Sequence, residues 1–366
     1  MIDWLDQRRG DIVTVSMVSP TNLEDTYGEL EGIDLSRSSL SAGYYVDTRT
    51  SGTLSVIGDG WVRGSFLRVT HKIPEWGFER DIGTYLVTDD GVAYGNGVPR
   101  YTLKLQSLLY ALSTEVSKDP WTIAKGALAK TAMGQLLDSA RRQWRDVEAN
   151  DHLFSSPLVM DSGQTLLSRM FALTQQSNNR LDVDGRGYVT VSPYAIPDSK
   201  VPILEIDLSD PRGIVHDGME RSTDWLRMPT EAVVLHSYTS SEGGESATHE
   251  ISARATVSPD SHASRDIRGY TVTDFRDVPD MSPQTREEAQ RLADLYLIGD
   301  SREHVTWNVT TRYLPVWEGD VVSLKVPVSG RYGGARKCLV KSVELDLRFM
   351  AMRLTLKETA SGDDDE

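Results

Sequence analysis

The sequence predicts an α+β fold, mainly β, with two small β-barrel-like domains flanking a helical and α+β insert. Three observations predict it. Short β-type runs broken by glycine turns recur between residues 36 and 105. The apolar spacing then becomes helical, up to residue 176. From residue 231 onward the β-type runs return. The expected domains are an N-terminal barrel-like region at 1–105, a helical connector at 106–160 and an α+β helix–hairpin insert at 161–215. A C-terminal barrel-like region follows at 216–360, with one helix at 283–298, and an acidic tail at 361–366 closes the chain.

In chain order, residues 12–15 alternate as a strand, and 24–34, with five acids and two glycines, reads as a loop. Strands are expected at 42–46, 52–57, 66–69, 84–88 and 101–105. Gly58-Asp59-Gly60 and Asp89-Asp90-Gly91 serve as turns between them. Strands this short, with such turns, suggest a small barrel or sandwich. Leu105, Leu108, Leu109 and Leu112 are spaced for a helix. Residues 121–132 are helix-compatible behind Pro120, and 133–147 reads as an amphipathic helix with Met133, Leu136, Leu137, Ala140 and Trp144 on one side.

Residues 162–194 form the clearest local unit, a helix feeding a hairpin. Leu166, Leu167, Met170, Phe171 and Leu173 give the helix its apolar face, with Asp161 or Ser162 as cap. Ser177-Asn178-Asn179 ends it, because these side chains compete for backbone bonds and tolerate a left-handed residue. Leu181 and Val183 then alternate with polar residues, Asp184-Gly185 supplies a two-residue turn, and Tyr188, Val189 and Val191 form the return strand that Pro193 stops. Residues 201–206 are expected to add a strand to this hairpin. Farther on, strands are expected at 231–236 and 248–255 around the loop Glu242-Gly243-Gly244-Glu245, with a polar excursion at 256–270. Ser282 as cap, Pro283 in the first turn and Gly299 past the end punctuate a helix whose body is 285–298. Strands at 305–310, 321–326, 338–343 and 352–357 complete the chain.

At 366 residues the chain is longer than one usual hydrophobic core. Its hydrophobic content of 39% and charged content of 25% are those of a globular protein. No apolar run approaches the ~20 residues that span a bilayer, and the opening Met1-Ile2-Asp3-Trp4, followed by Arg8-Arg9, lacks a secretory pattern. The net charge of −15 repels nucleic acid over most of the surface. The best basic cluster, Arg141, Arg142 and Arg145, lies beside Asp138, Asp146 and Glu148, so a solvated mixed-charge face outweighs a phosphate grip. The single cysteine, Cys338, excludes an intrachain disulfide and reads as a small buried hydrophobe.

The motifs of chemistry fail one by one. His249-Glu250 opens like a zinc-protease helix, but the second histidine would fall at Ala253. Asp182 and Asp184 open like a calcium loop, but Arg186 stands where a third oxygen ligand belongs. Residues 58–64 approach a dinucleotide fingerprint with one residue too many and no following helix. The acid pairs Asp89/Asp90, Glu24/Asp25 and Asp207/Asp210 arise readily among 54 acids and read as solvated surface. Trp61, Trp76, Phe78 and Trp317 are candidates for a carbohydrate platform, with core packing as the competing reading. No catalytic, cofactor-binding or metal-binding residue is assigned, and no cofactor is expected.

The two β regions share a weak internal repeat. Leu86-Val87 matches Leu339-Val340, and Thr102-Leu103-Lys104 matches Thr355-Leu356-Lys357, both 253 residues apart. Arg68-Val69 resembles Lys325-Val326 at a slightly different offset. Chance agreement between common strand residues is the competing reading.

The run from Arg180 to Pro193 after its helix resembles a pattern in the tail hub proteins of long-tailed bacteriophages, including the minor tail proteins of actinobacterial phages. Thr306-Trp307-Asn308-Val309 followed by Leu314-Pro315-Val316-Trp317-Glu318-Gly319-Asp320-Val321-Val322 is similar to a second pattern of those hubs, and residues 83–88 to a returning barrel strand. The resemblance covers most of the chain as order and local pattern, without a catalytic signature; the long excursion at 256–270 and the short tail depart from it. It implies a non-enzymatic structural virion protein made in the host cytoplasm: a homotrimeric ring at the tail tip, or baseplate, that closes the tail tube, takes part in host attachment and lets DNA pass without specific binding. The implied partners are the tail tube or distal tail protein, the tape measure protein and other tail-tip proteins, with no membrane span. A cell-wall or polysaccharide hydrolase and a carbohydrate-binding receptor module stay open as alternatives.

Overall fold

The computed structural model describes residues 10–359 except 59, 96, 155–157, 211–214, 225–227, 243–244, 262, 278–285, 301–304 and 328–333. The expected acidic tail at 361–366 and the helix start at Ser282-Pro283 lie outside the described residues.

The first strands are β1 (Ile12–Val18), β2 (Thr26–Glu29), β3 (Ser39–Gly43), β4 (Thr50–Ile57), β5 (Phe66–Ile73), β6 (Phe78–Gly95) and β7 (Val98–Ser107). The helical region holds α1 (Leu109–Thr114), β8 (Trp121–Ile123), α2 (Ala129–Ser139), β9 (Trp144–Asp146), β10 (Leu158–Met160), α3 (Leu166–Gln176), β11 (Asn179–Val183) and β12 (Val189–Pro193). There follow β13 (Glu205–Asp207), β14 (Val215–Thr223), β15 (Glu231–Glu242), β16 (Glu245–Thr256), α4 (Arg265–Arg268), β17 (Thr273–Asp277), α5 (Arg286–Asp300), β18 (Val305–Arg312), β19 (Val321–Val326), β20 (Gly334–Asp346) and β21 (Ala351–Glu358).

The mainly β, α+β class is as the sequence predicts. The strands of both β regions, however, join one 13-stranded sheet rather than closing separate barrels. Its path runs β14-β18-β21-β20-β3-β4-β7-β6-β5-β1-β2, with β19 on β20 and β13 on β19. The join is the antiparallel pairing of β20 with β3, Ser342 opposite Gly43 through Asp346 opposite Ser39. The chain divides into two compact units. Among the described residues, one comprises those up to Met219 together with Asn308–Thr359, the other those within Glu220–Trp307. In the second unit α5 packs Ala289, Ala293 and Leu297 against Ala232 and Val234 of β15 and Ala253 and Ala255 of β16. Small residues on both elements let helix and sheet approach closely.

The repeat is written in the sheet order. The sequence β3-β4-β7-β6-β5 recurs as β14-β18-β21-β20-β19. In each copy the fourth strand of this order carries a bulge one residue past the matched Leu-Val pair: between Val87 and Asp89 in β6, and between Val340 and Ser342 in β20. The second halves of the sequence match are out of step by two residues. Val87 faces Leu105 and Val340 faces Leu356, so Leu103 and Leu105 correspond to Leu354 and Leu356. Likewise Tyr85 faces Leu67 while Cys338 faces Val322, which sets Arg68-Val69 beside Ser323-Leu324 rather than Lys325-Val326. A shift of two keeps every side chain on its own face of the sheet, which is why so nearly correct a match arises from sequence.

Several local expectations are corrected. Asp89-Asp90-Gly91 is no turn, because β6 runs on to Gly95 and pairs throughout with β7. The loop at 24–34 contains β2, an edge strand on β1. Residues 121–132 begin as β8 rather than helix, and the helix expected at 133–147 is α2 followed by β9. Arg141 adopts a left-handed φ of 53°, which ends the helical path there, and Trp144 then pairs in parallel with Val189 of β12. Residues 201–206 do not extend the hairpin; β13 pairs in parallel with β19 instead. The excursion at 256–270 carries the short helix α4, capped by Ser264.

Candidate functional site

The helix–hairpin insert is held by side chains at both of its ends, and these two contacts form the site. Thr165, not Asp161 or Ser162, caps α3, its hydroxyl accepting from the Ser168 N–H at 3.1 Å. The apolar face then buries Leu166, Leu167, Met170 and Leu173 with α1, α2 and the hairpin's Leu181, Val189 and Val191. Full burial of each such side chain contributes roughly 1.5–3 kcal/mol. Asn178 takes the left-handed φ of 51° that releases the chain into β11, as its residue type predicts.

The turn differs from the expected two-residue Asp-Gly form. Asp184 O accepts from Gly187 N at 2.9 Å, and Asp184 N donates to Tyr188 O at 3.0 Å. The Asp184 carboxylate also takes the Tyr188 N–H, at 2.9 Å. Capture of that N–H lengthens the loop, so the positive φ of 93° falls on Gly187 rather than Gly185. Gly185 serves another purpose: a Cβ there would enter the Asp81 carbonyl group of β6, 2.9 Å from its carbon.

This turn docks on the sheet through neutral and charged partners. Thr84 Oγ1 donates to Gly185 O at 2.9 Å. Arg68 is buried and donates to Leu23 O at 2.6 Å, Arg186 O at 3.0 Å and Thr84 Oγ1 at 3.2 Å. Outside, Glu24 accepts from the Tyr188 hydroxyl at 2.7 Å and pairs with Arg186 at 3.3 Å and Arg145 at 3.7 Å. The Tyr188 hydroxyl, and then the charges of Arg186, Arg68 and Arg145, hold the Glu24 carboxyl below the usual range. Arg145 stacks 3.6 Å from the Tyr188 ring centre and lies 3.4 Å from Asp184. Thus Arg145 leaves the expected helical cluster with Arg141 and Arg142 and, on β9, pins the turn.

At its base the hairpin meets residues 317–320. Arg180 and Asp182 share one face of β11, with Nη2 and Nε 2.7 and 2.9 Å from the same carboxylate oxygen. The Arg180 guanidinium lies 4.4 Å from the Tyr44 ring centre. Arg49 donates to Leu181 O at 3.2 Å and to Tyr44 O. Gly319 has a φ of 85°, and a Cβ there would stand 2.5 Å from Arg180 Nη1 and 3.0 Å from the Tyr44 ring. Its N–H donates to Val340 O at 2.9 Å, and its carbonyl accepts from Lys200 at 2.8 Å. Glu318 is buried, and its Oε2 accepts no hydrogen bond among the described residues. Burial, followed by repulsion from Asp182, pushes its carboxyl up to about 8. Gly319→Ala is expected to destabilise the protein by about 2 kcal/mol, from left-handed strain and the displaced guanidinium. A denaturant midpoint equal to that of the wild type contradicts this account.

Of the sequence candidates, Asp182, Asp184 and Glu24 fall within this joint. Asp182 and Asp184 are engaged by Arg180, Arg145 and the Tyr188 N–H. Among the described residues no three His, Cys, Asp or Glu side chains are arranged to hold a metal ion. His249 lies on β16 opposite Tyr238, where no helix exists to present a zinc-protease pair. Residues 58–64 join two strands, β4 and β5. Asp90 pairs with Arg63 at 2.9 Å, and Asp207 with Lys325 at 2.7 Å, which with Ser209 lowers its carboxyl to about 2. Trp61 packs edge-on to Tyr101, while Phe78 packs on the buried His71 and on Tyr313. Cys338 is fully buried, and burial pushes its thiol up. Sequence reasoning missed Glu318 as a key group. Its signal was an acid amid Leu314, Val316, Trp317, Val321 and Val322.

No family model matches the chain, and no curated relative matches it in sequence. Among solved structures, it is similar to the tail protein from Neisseria meningitidis MC58, with a TM-score of 0.65 at 13% identity over 95% of this chain and 97% of that one. The 43 kDa tail protein of prophage MuSo2 from Shewanella oneidensis gives 0.64 at 12% identity, over 95% and 98%. The prophage tail protein gp18 from Listeria monocytogenes EGD-e gives 0.57 at 10% identity, over 96% and 95%. At these identities the likeness shows a shared fold, which extends over nearly the whole of each chain.

Proposed function

We propose that the chain is a structural component of a phage-type tail, a tail-tip or baseplate hub that closes the tail tube as a homotrimeric ring. The observation that carries this reading is the common fold with three prophage or tail proteins, end to end in both directions. The duplicated strand order agrees with it, since three copies of a chain with two similar halves present six similar positions to a sixfold tube. The joint at the hairpin agrees too. Its buried Arg68 and part-buried Arg49 and Arg180 are bound to backbone carbonyls and a neighbouring carboxylate, an arrangement that fixes geometry rather than offering reactive groups to a substrate.

In this role the chain meets the tail tube or distal tail protein, the tape measure protein and other tail-tip proteins, and takes part in host attachment. DNA passes through the ring without specific binding. The net charge of −15 suits a lumen that repels phosphate. No described helix is long and apolar enough to cross a membrane. The test is immunogold labelling of particles whose genome encodes the chain, with native mass spectrometry of the released tip. Label at the tail end farthest from the head, on a species of three copies, is the expected result. Label on the head, or absence from particles, overturns the reading.

A further inference from the structure

The repeat leaves one edge covered in its second copy and open in its first. In the second copy, β20 pairs with β19 through residues 334–339 and, on the same side, with β3 through residues 342–346. In the first, β6 pairs with β5 through residues 78–85, and no described strand continues that side along Asp89–Gly95. The bulges align the two segments, so Asp89 to Ala93 correspond to Ser342 to Asp346. Side chains report the same asymmetry. Leu345 and Leu347 are buried at 0% and 1% exposure. Their counterparts Val92 and Tyr94 are 45% and 77% exposed, and Val98 across the hairpin is 47% exposed. An open β edge with apolar side chains is a template for another strand.

The internal repeat identifies the occupant. The strand that covers β20 is β3, the first member of the first copy. Its counterpart in the second copy is β14, which stands at the end of the sheet path with β18 as its neighbour. Within one chain, the second copy's hairpin thus receives the first copy's leading strand. We infer that the β6 edge at Asp89–Gly95 receives β14 of a second copy of this chain, repeating between molecules the pairing of β20 with β3. The contact is head-to-tail, so its repetition generates a ring or a filament rather than a two-fold dimer. The inference deepens the hub reading and rests on it for closure of the ring, but the pairing itself comes from the strand order.

The experiment places a photo-crosslinking benzoylphenylalanine at Tyr94 in the full-length chain and maps the crosslinked peptides after irradiation. It also measures assembly of Val92→Lys by native mass spectrometry. The pairing predicts covalent oligomers whose crosslink falls within β14, and a loss of assembly of about tenfold or more for Val92→Lys, as a charge enters a contact that buries an apolar side chain. Val92 is surface-exposed in the single chain, so circular dichroism and the melting temperature are expected to match the wild type. Crosslinks outside β14, or a Val92→Lys variant that assembles as the wild type does, overturn the pairing. So does a wild-type chain that stays monomeric at millimolar concentration. Labelling of the tail tip in particles reports on the hub reading separately, so assembly through another surface defeats the pairing alone.

Discussion

Gly185→Val is expected to release the helix–hairpin insert from the sheet and to lower stability by about 3 kcal/mol or more. The new Cβ points into the Asp81 carbonyl group, backbone against backbone, where no side-chain rotamer relieves the overlap. If the turn withdraws, Thr84 Oγ1 loses its bond to Gly185 O, and the buried Arg68 loses its bond to Arg186 O. Leaving a buried charged donor unsatisfied costs more than the bond is worth in net terms. The variant should therefore show a lower denaturant midpoint and faster amide exchange across β11 and β12. Asp184→Asn is the matched control. An asparagine oxygen still accepts the Tyr188 N–H, and the lost pairing with the part-exposed Arg145 contributes under about 1 kcal/mol. A Gly185→Val protein with wild-type stability, or an Asp184→Asn protein that fails to fold, would contradict this account of the turn.

The second large effect is a pH dependence set by Glu318. Its carboxyl is pushed up to about 8 in the folded protein, from 4.5 in an exposed chain. Below the lower value it is protonated in both states and contributes no penalty. Between the two, the unfolded chain releases a proton that the folded chain keeps, so stability falls as pH rises, by about 1.4 kcal/mol per unit. Above about 8 the folded protein carries a buried carboxylate with the full penalty, of the order of 5 kcal/mol. The groups around it are Arg49, Arg180, Asp182, Tyr85, and across the turn Lys200 and Asp320. Asp320 is itself raised by burial, so the whole-protein profile contains its share as well. The comparison with Glu318→Gln isolates Glu318. Glutamine has the same shape and no charge, so the variant should match the wild type near pH 4.5 and exceed it increasingly toward pH 8.5. Parallel stability profiles for the two proteins would show that Glu318 is ionised in the fold and paired by Arg49 and Arg180.

Both effects lie in contacts between segments far apart in the chain, and this separates what was legible in the sequence from what was not. The class and most strands were readable because alternation is local: β19 spans the expected Val321–Val326, and α3 ends at Ser177 and Asn178 as those side chains dictate. The fate of Trp144 was not readable. Its helical spacing from Ala140 and Leu137 is real, yet Arg141 turns left-handed and β12 offers a parallel partner, so tertiary pairing overrides periodicity. The same holds for Asp89-Asp90-Gly91, a good turn by composition that β7 draws into a ladder.

The sequence by itself determined the α+β class, the helix–hairpin, the buried Cys338 and the Leu-Val landmarks of the repeat, because each depends on neighbours within a few residues. Only the tertiary structure decided that Gly185 is needed for contact rather than for φ and that Arg145 holds the hairpin turn. It also decided that the two β regions share one sheet, and that Glu318 is the group whose proton matters. Those outcomes depend on which distant backbone arrives alongside, and a strand's alternation specifies which face it buries but not which partner it pairs with.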